Sequence, residues 1–293
     1  MTVEERGVRG THAASVPVRA AVLPWERARA ARAPGAAPAT LPAMSPTTEP
    51  SGSPAFTIQG RTVGLPVCVR DASSGTATYL VPSAAARRLL PGDVLDVVEI
   101  LPGRALLSVG AIDYRDNDLG DYNEIAIAFF VRERRTRGSV PYLSALLDLV
   151  RQRIATYIHR LPVNQSFTRE AGCRIWGFPK TLDEIEIETP PGRFLCTWVK
   201  DGRHVFTFSV PRAGTRSLPE VALTTYSFIE GVAHRTRFTT AADGVGVRLG
   251  GASLRLGDHP IADELRGLGL PRRALMTIWM EHMRASFDAP EKV

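Results

Sequence analysis

The chain has 293 residues, 44% of them hydrophobic and 23% charged, which is enough apolar material for one large or two small globular cores. Its 36 basic and 30 acidic residues give a net charge of +6 and a pI near 9.6, but the basic residues are scattered; the densest cluster, Arg132 to Arg137, reads as a solvated strand end, so nucleic-acid binding is not expected. Cys68, Cys173 and Cys196 are isolated, which excludes a disulfide framework and makes a reducing cytoplasm the expected compartment, and no stretch is long and apolar enough to span a membrane.

Residues 1–54 are rich in Ala, Pro, Arg, Ser and Thr and lack a periodic apolar pattern, so they read as a disordered extension preceding one domain over 55–293. A secretory signal is not indicated, because Val16 to Leu23 is interrupted by Pro17 and Arg19. An Arg- and Ala-rich transit peptide is opposed by Glu4, Glu5 and Glu26, and a start at Met44 is an alternative.

From Ala55 the pattern is strand-rich. Strands are predicted over Phe56 to Ile58, Val63 to Val69 with a bend at Pro66, and Thr76 to Val81, then a short helix from an N-cap at Ser83 to Leu90. Leu95 to Leu101 and Arg104 to Ile112 flank Pro102-Gly103 as a hairpin, and Asp113 to Asp121 reads as a charged loop. Ile125 to Val131 is almost wholly apolar and predicts a strand buried on both faces, with Glu124 at its mouth. A carboxylate in that position demands a partner.

An amphipathic helix is predicted over Ser144 to Ile154, a strand over Thr156 to Val163, and a short helix capped by Ser166 and running toward Gly172. Strands follow at Ile185 to Glu188, Phe194 to Val199 and His204 to Val210, the last two joined by the hairpin pair Asp201-Gly202. Val221 to Phe228, Ala233 to Thr239, Gly244 to Leu249 and Ser253 to Leu256 continue the strands. Ile261 to Leu268 is a helix, and Arg273 to Phe287 a terminal helix or strand. Many strands with few helices predict an antiparallel, largely closed sheet with flanking helices. The six histidines show no metal-ligand spacing and no glycine-rich segment opens a helix, so neither a metal nor a nucleotide cofactor is expected.

One amine stands out. Only three lysines occur, Lys180, Lys200 and Lys292, and Lys180 follows Ile175, Trp176, Gly177, Phe178 and Pro179. Arginine stays protonated, whereas a desolvated lysine can become a neutral nucleophile. The structural alternative is a surface lysine whose stem lies on Trp176 with its head in water.

Gly172 to Thr181 resembles the Schiff-base lysine segment of the acetoacetate decarboxylase family, and Gly120-Asp121-Tyr122-Asn123-Glu124 resembles the family's Gly-Tyr-x-Glu motif, whose glutamate faces the lysine. Arg61 matches the family's substrate-carboxylate arginine more weakly, and Leu256 to Pro260 is also similar. The resemblance spans roughly Ala55 to the C-terminus. It implies an α+β, mainly antiparallel, cone-like closed β-barrel with the lysine inside, a homo-oligomer, and a small oxo-acid substrate handled without a cofactor. It also implies Lys180 and Glu124 as catalytic groups, with Arg61, Tyr122, Trp176 and Phe178 binding substrate. Departures matter: Thr181 replaces a second lysine, Cys173 and Arg174 replace an Arg-Glu pair, and Ser108 stands where the decarboxylases carry a further acid. Burial against Trp176 and Phe178, helped by Arg174 folding back, would then have to lower the pKa of Lys180.

Three functions follow: decarboxylation of a 3-oxo acid through a lysine imine, aldolase-dehydratase chemistry on a 2-oxo acid and an aldehyde, or a non-catalytic ligand-binding barrel with a permanently salt-bridged lysine.

Overall fold

The computed structural model describes residues 54–134 and 154–293. The expected N-terminal extension and the helix expected over 144–154 lie outside the described residues, apart from Pro54 and Ile154.

Strands dominate the rest. A hairpin of β1 (Ala55–Ile58) and β2 (Arg61–Gly64) leads into the long β3 (Val67–Pro82), the one-turn α1 (Ser83–Arg87), β4 (Leu95–Val97), β5 (Glu99–Leu101), β6 (Arg104–Asn117) and β7 (Tyr122–Glu133). Beyond residue 153 come β8 (Ala155–Arg160), α2 (Ser166–Trp176), β9 (Glu184–Glu188), β10 (Arg193–Lys200), β11 (Arg203–Pro211), β12 (Arg216–Ile229), β13 (Val232–Leu249), β14 (Ser253–Leu256), α3 (Pro260–Gly267) and β15 (Met276–Lys292).

Strands β7, β8, β12, β13, β15, β3 and β6 pair in that order, and β6 pairs back to β7, closing a seven-stranded barrel. Every pairing is antiparallel except β8 with β12. The expected closed, mainly antiparallel β-barrel is therefore observed. A second sheet, in the order β14, β11, β10, β9, packs on the outside of the barrel. Here the predicted Asp-Gly turn joins β10 to β11, with positive φ at both Asp201 and Gly202.

The two faces of β7 have different surroundings. Ile125, Ile127, Phe129 and Val131 join Phe194, Trp198, Phe206 and Phe208 of the second sheet in one buried core. Gly75 on β3 allows this contact, because a Cβ there would collide with Val210 and press on Phe194. Tyr122, Glu124, Ala126 and Ala128 face the opposite way, into a cavity of about 310 Å³ in the barrel. The outward face of the apolar run of β7 is buried as expected, whereas its inward face borders the cavity.

Several boundaries differ from expectation. The segment 113–117 is the continuation of β6 rather than a loop, since its charges form ion pairs across strands: Arg115 with Asp71, and Asp116 with Arg70. Pro66 separates two strands, β13 is a single strand where two were expected, and the terminal element is a strand. The hairpin expected from Leu95 splits, with β4 pairing to β7 and β5 to β6. Helix α1 begins on Ser83 and stops at Arg87, and α2 is capped by the Gln165 side chain, which accepts from the Thr168 N–H, rather than by Ser166.

Candidate active site

Helix α2 carries the lysine segment to the barrel. It runs through the motif to Trp176 and ends at Gly177, whose left-handed φ of 64° directs its N–H to the Cys173 carbonyl and the Phe178 N–H to that of Gly172. A side chain at Gly177 would also strike Ile229 and the Phe228 backbone. Gly172 serves a different purpose. A Cβ there would stand 2.5 Å from Lys180 Cδ and 2.6 Å from Cε, so the missing side chain is the channel through which the lysine stem reaches inward.

Val163 fixes the lysine loop against β7. Its N–H donates to the Thr181 carbonyl, its carbonyl accepts from Asp183, and it forms a bridge with Glu124. The two sequence motifs therefore meet: Lys180 Nζ lies 2.7 Å from Glu124 Oε2, with both residues buried. Nζ also donates to Thr168 Oγ1 at 3.3 Å and sits 5.0 Å from the Tyr122 ring centroid. Tyr114 donates its hydroxyl to the other Glu124 oxygen at 3.3 Å and stacks on Tyr122 at 4.5 Å. Trp176 and Phe178 stack at 5.6 Å in the cavity wall, and Trp176 Nε1 donates to the Asp288 carbonyl.

The electrostatics reverse one expectation. Burial is the largest influence on Lys180 and favours the neutral amine, but the Glu124 carboxylate, with Tyr122, outweighs it and holds the pKa above the ordinary lysine value. Lys180 is therefore held as the ammonium ion, in contact with Glu124. Arg174 does not fold back toward it: its guanidinium is exposed, on Glu170 and the Thr57 carbonyl. Burial pushes the Tyr122 phenol to about 12 and, with Glu124, raises Tyr114 well above its usual value, so both remain hydroxyl donors.

Of the residues named from sequence, Lys180, Glu124, Tyr122, Trp176 and Phe178 line one cavity, and so does Ser108. Arg61 is not brought to it. It is exposed on β2, with its guanidinium carbon 4.2 Å from the centre of the Phe167 ring. Thr181 is likewise exposed and bonds Asp183. Sequence reasoning missed Tyr114 and Thr168. Thr168 precedes Gly172 by four residues and so shares its helix face. Tyr114 follows Ile112 by two and shares its strand face, once β6 is known to continue.

Among the described residues no cluster of His, Cys, Asp and Glu could hold a metal, and no helix is long and apolar enough to cross a membrane.

Comparison with known proteins bears on the fold and the family. No curated protein matches significantly. Among solved structures, the acetoacetate decarboxylase of Legionella pneumophila superposes with a TM-score of 0.55 at 15% identity, covering 78% of this chain and 87% of that one. The enduracididine biosynthesis enzyme MppR, complexed with pyruvate, gives 0.52 at 17% identity over 78% and 91%. An acetoacetate decarboxylase-like enzyme from Sphingomonas wittichii RW1 gives 0.51 at 15% identity over 81% and 97%. At these identities the likeness is one of fold. The sequence model of the family described as acetoacetate decarboxylase (ADC) matches residues 45–288, and the chain belongs to the acetoacetate decarboxylase family.

Proposed function

We propose that the protein is a carbon–carbon lyase that forms an imine between Lys180 and a ketone or oxo acid. The observation that carries this reading is the buried 2.7 Å pair of Lys180 and Glu124 in the wall of the barrel cavity. A lysine whose pKa is raised is no nucleophile as it rests, but its proton has an acceptor in hydrogen-bond contact. Transfer to Glu124 creates a neutral amine and a neutral acid with no change in net charge, so the apolar wall does not oppose it.

The Nζ lone pair then attacks the substrate carbonyl carbon. Protonation of the resulting oxygen, with Glu124 returning its proton, expels water and leaves an iminium ion beside the Glu124 carboxylate. In a 3-oxo acid the electron pair of the bond to the carboxylate flows into the iminium, carbon dioxide departs, and an enamine remains. Protonation at carbon and hydrolysis release the ketone and restore the amine. Tyr122 and Tyr114 orient Glu124 and the carbonyl oxygen, while Trp176 and Phe178 exclude water. Arg61 takes no part in this scheme.

A second reading is supported by the cavity volume. About 310 Å³ leaves room for two small reactants, and the enamine could attack an aldehyde instead of a proton, as in an aldolase-dehydratase. The structural neighbour MppR binds pyruvate.

Borohydride reduction in the presence of acetoacetate, or of pyruvate with an aldehyde, followed by peptide mass mapping, tests both. A stable adduct on Lys180 supports imine chemistry, and the released products decide between carbon dioxide loss and bond formation. Folded protein that gives no adduct with any of these would leave a binding barrel with a permanently paired lysine.

A further inference from the structure

The cavity continues well past the amine, and its walls are unusual for a narrow barrel. Barrels of about this strand number normally fill their interior with side chains. Here the inward positions above Glu124 are small: Ala126 and Ala128 on β7, Gly110 and Ser108 on β6, Thr76 on β3. Ser108 pairs with Ala128, four residues along β7 from Glu124, so it lies roughly 13 Å from the carboxylate level at the usual strand rise. The opened space is therefore long as well as large.

Its walls are mainly apolar, and apart from the Lys180–Glu124 pair their polar groups are uncharged. Among the described residues the hydroxyls of Ser74, Thr76 and Ser108 border the cavity and have no protein hydrogen-bond partner, while Thr156 and Thr225 bond each other across from them at 3.2 Å. No Arg, His or Asp lines the cavity, and its charged side chains are Lys180 and Glu124, which neutralise each other. An anionic tail at the far end would be buried without a partner, at a cost of several kcal/mol. Unpartnered hydroxyls, by contrast, call for water or a ligand oxygen.

Size points the same way. At about 30 Å³ per water, a cavity of 310 Å³ holds roughly ten water-sized units. Acetoacetate, with about seven non-hydrogen atoms, would leave the Ser108 end empty. With bonds of about 1.5 Å, a chain of on the order of ten atoms reaches from the amine to that end.

We infer that the substrate is an extended carbonyl compound of about ten non-hydrogen atoms, whose chain beyond the reacting carbonyl is uncharged and ends in a hydroxyl or carbonyl oxygen held by Ser108 and Thr76. This inference rests on the imine reading above.

The test measures half-saturating concentrations for borohydride trapping at Lys180 with three probes: octan-2-one bearing a terminal hydroxyl, the same ketone bearing a terminal carboxylate, and acetoacetate. The hydroxy ketone is expected to trap at a concentration at least about tenfold below the carboxylate. Ser108→Ala and Thr76→Val, which remove one hydroxyl each with little change in volume, are expected to weaken it by about three- to tenfold each and leave acetoacetate unchanged. Equal or better trapping of the carboxylate ketone, or variants that leave the hydroxy ketone unaffected, would overturn the inference while leaving imine chemistry intact. Failure of all three probes on folded protein would overturn both.

Discussion

The two faces of β7 are built from one run of residues and serve opposite ends. Outward, Ile125, Ile127 and Phe129 share one buried core with Phe194, Phe206 and Phe208 of the second sheet. Inward, Tyr122, Glu124, Ala126 and Ala128 border a cavity that folding alone would favour filling. If the proposed chemistry belongs to the inner layer and most of the packing to the outer one, lesions on the two faces should separate cleanly.

The largest expected effect is on the inner face. Lys180→Met should abolish imine trapping outright, as read by mass mapping after borohydride. It also strands Glu124 in the wall, at a cost of about 3–5 kcal/mol unless the carboxyl takes up a proton. On the outer face, Phe206→Ala should cost about 3–5 kcal/mol in denaturant unfolding. Trapping per folded molecule should stay unchanged; a parallel loss would show that the faces are not independent.

Gly172→Ala sharpens the contrast. The three atoms nearest the new methyl all belong to the lysine stem, so the helix should hold or gain up to about 1 kcal/mol while the amine is displaced. Trapping should fall by about 10²-fold with no loss in Tm, the scale expected for a reacting group misplaced by an ångström.

Two smaller effects depend on pH. Because Glu124 holds the Lys180 pKa above its ordinary value of 10.5, the stability of the pair is present in full below that pH and lost as pH rises through the folded value. The Tm gap between the wild type and Lys180→Met should therefore shrink above about pH 10.5. At the acid end, burial works against ionisation of Glu264 on α3, but hydrogen bonds from His159 and Arg160 on β8 prevail and lower its pKa from 4.5 to about 2. Its stabilisation is present above pH 4.5 and fades as pH falls toward 2, so wild type and Glu264→Gln should converge in Tm across that window.

Much of this contrast was legible in the sequence. The unbroken apolar run from Ile125 announced a buried strand, and Pro-Lys after Trp-Gly-Phe singled out one amine. What stayed hidden depended on contacts distant in sequence. The charges from Asp113 to Asp118 imitate a loop because their partners, Asp71 and Arg70, lie on β3; mistaking them for one concealed Tyr114. The lysine's charge state could not be read from its apolar neighbours, because Glu124, on β7, outweighs their desolvating effect. Nor could the cavity, since Ala126, Ala128 and Gly110 read as filler until the register sets them side by side.

The claim that Lys180 and Glu124 form a working imine site can be tested without knowing the substrate. Imine formation expels the carbonyl oxygen as water, and hydrolysis replaces it from solvent, so the protein should catalyse exchange of labelled oxygen from heavy-oxygen water into a simple ketone such as butanone. Mass spectrometry of the recovered ketone should show exchange well above the buffer rate, abolished by Lys180→Met and slowed at least about tenfold by Glu124→Gln. Exchange no faster than in buffer, or equally fast in Lys180→Met, would contradict the account.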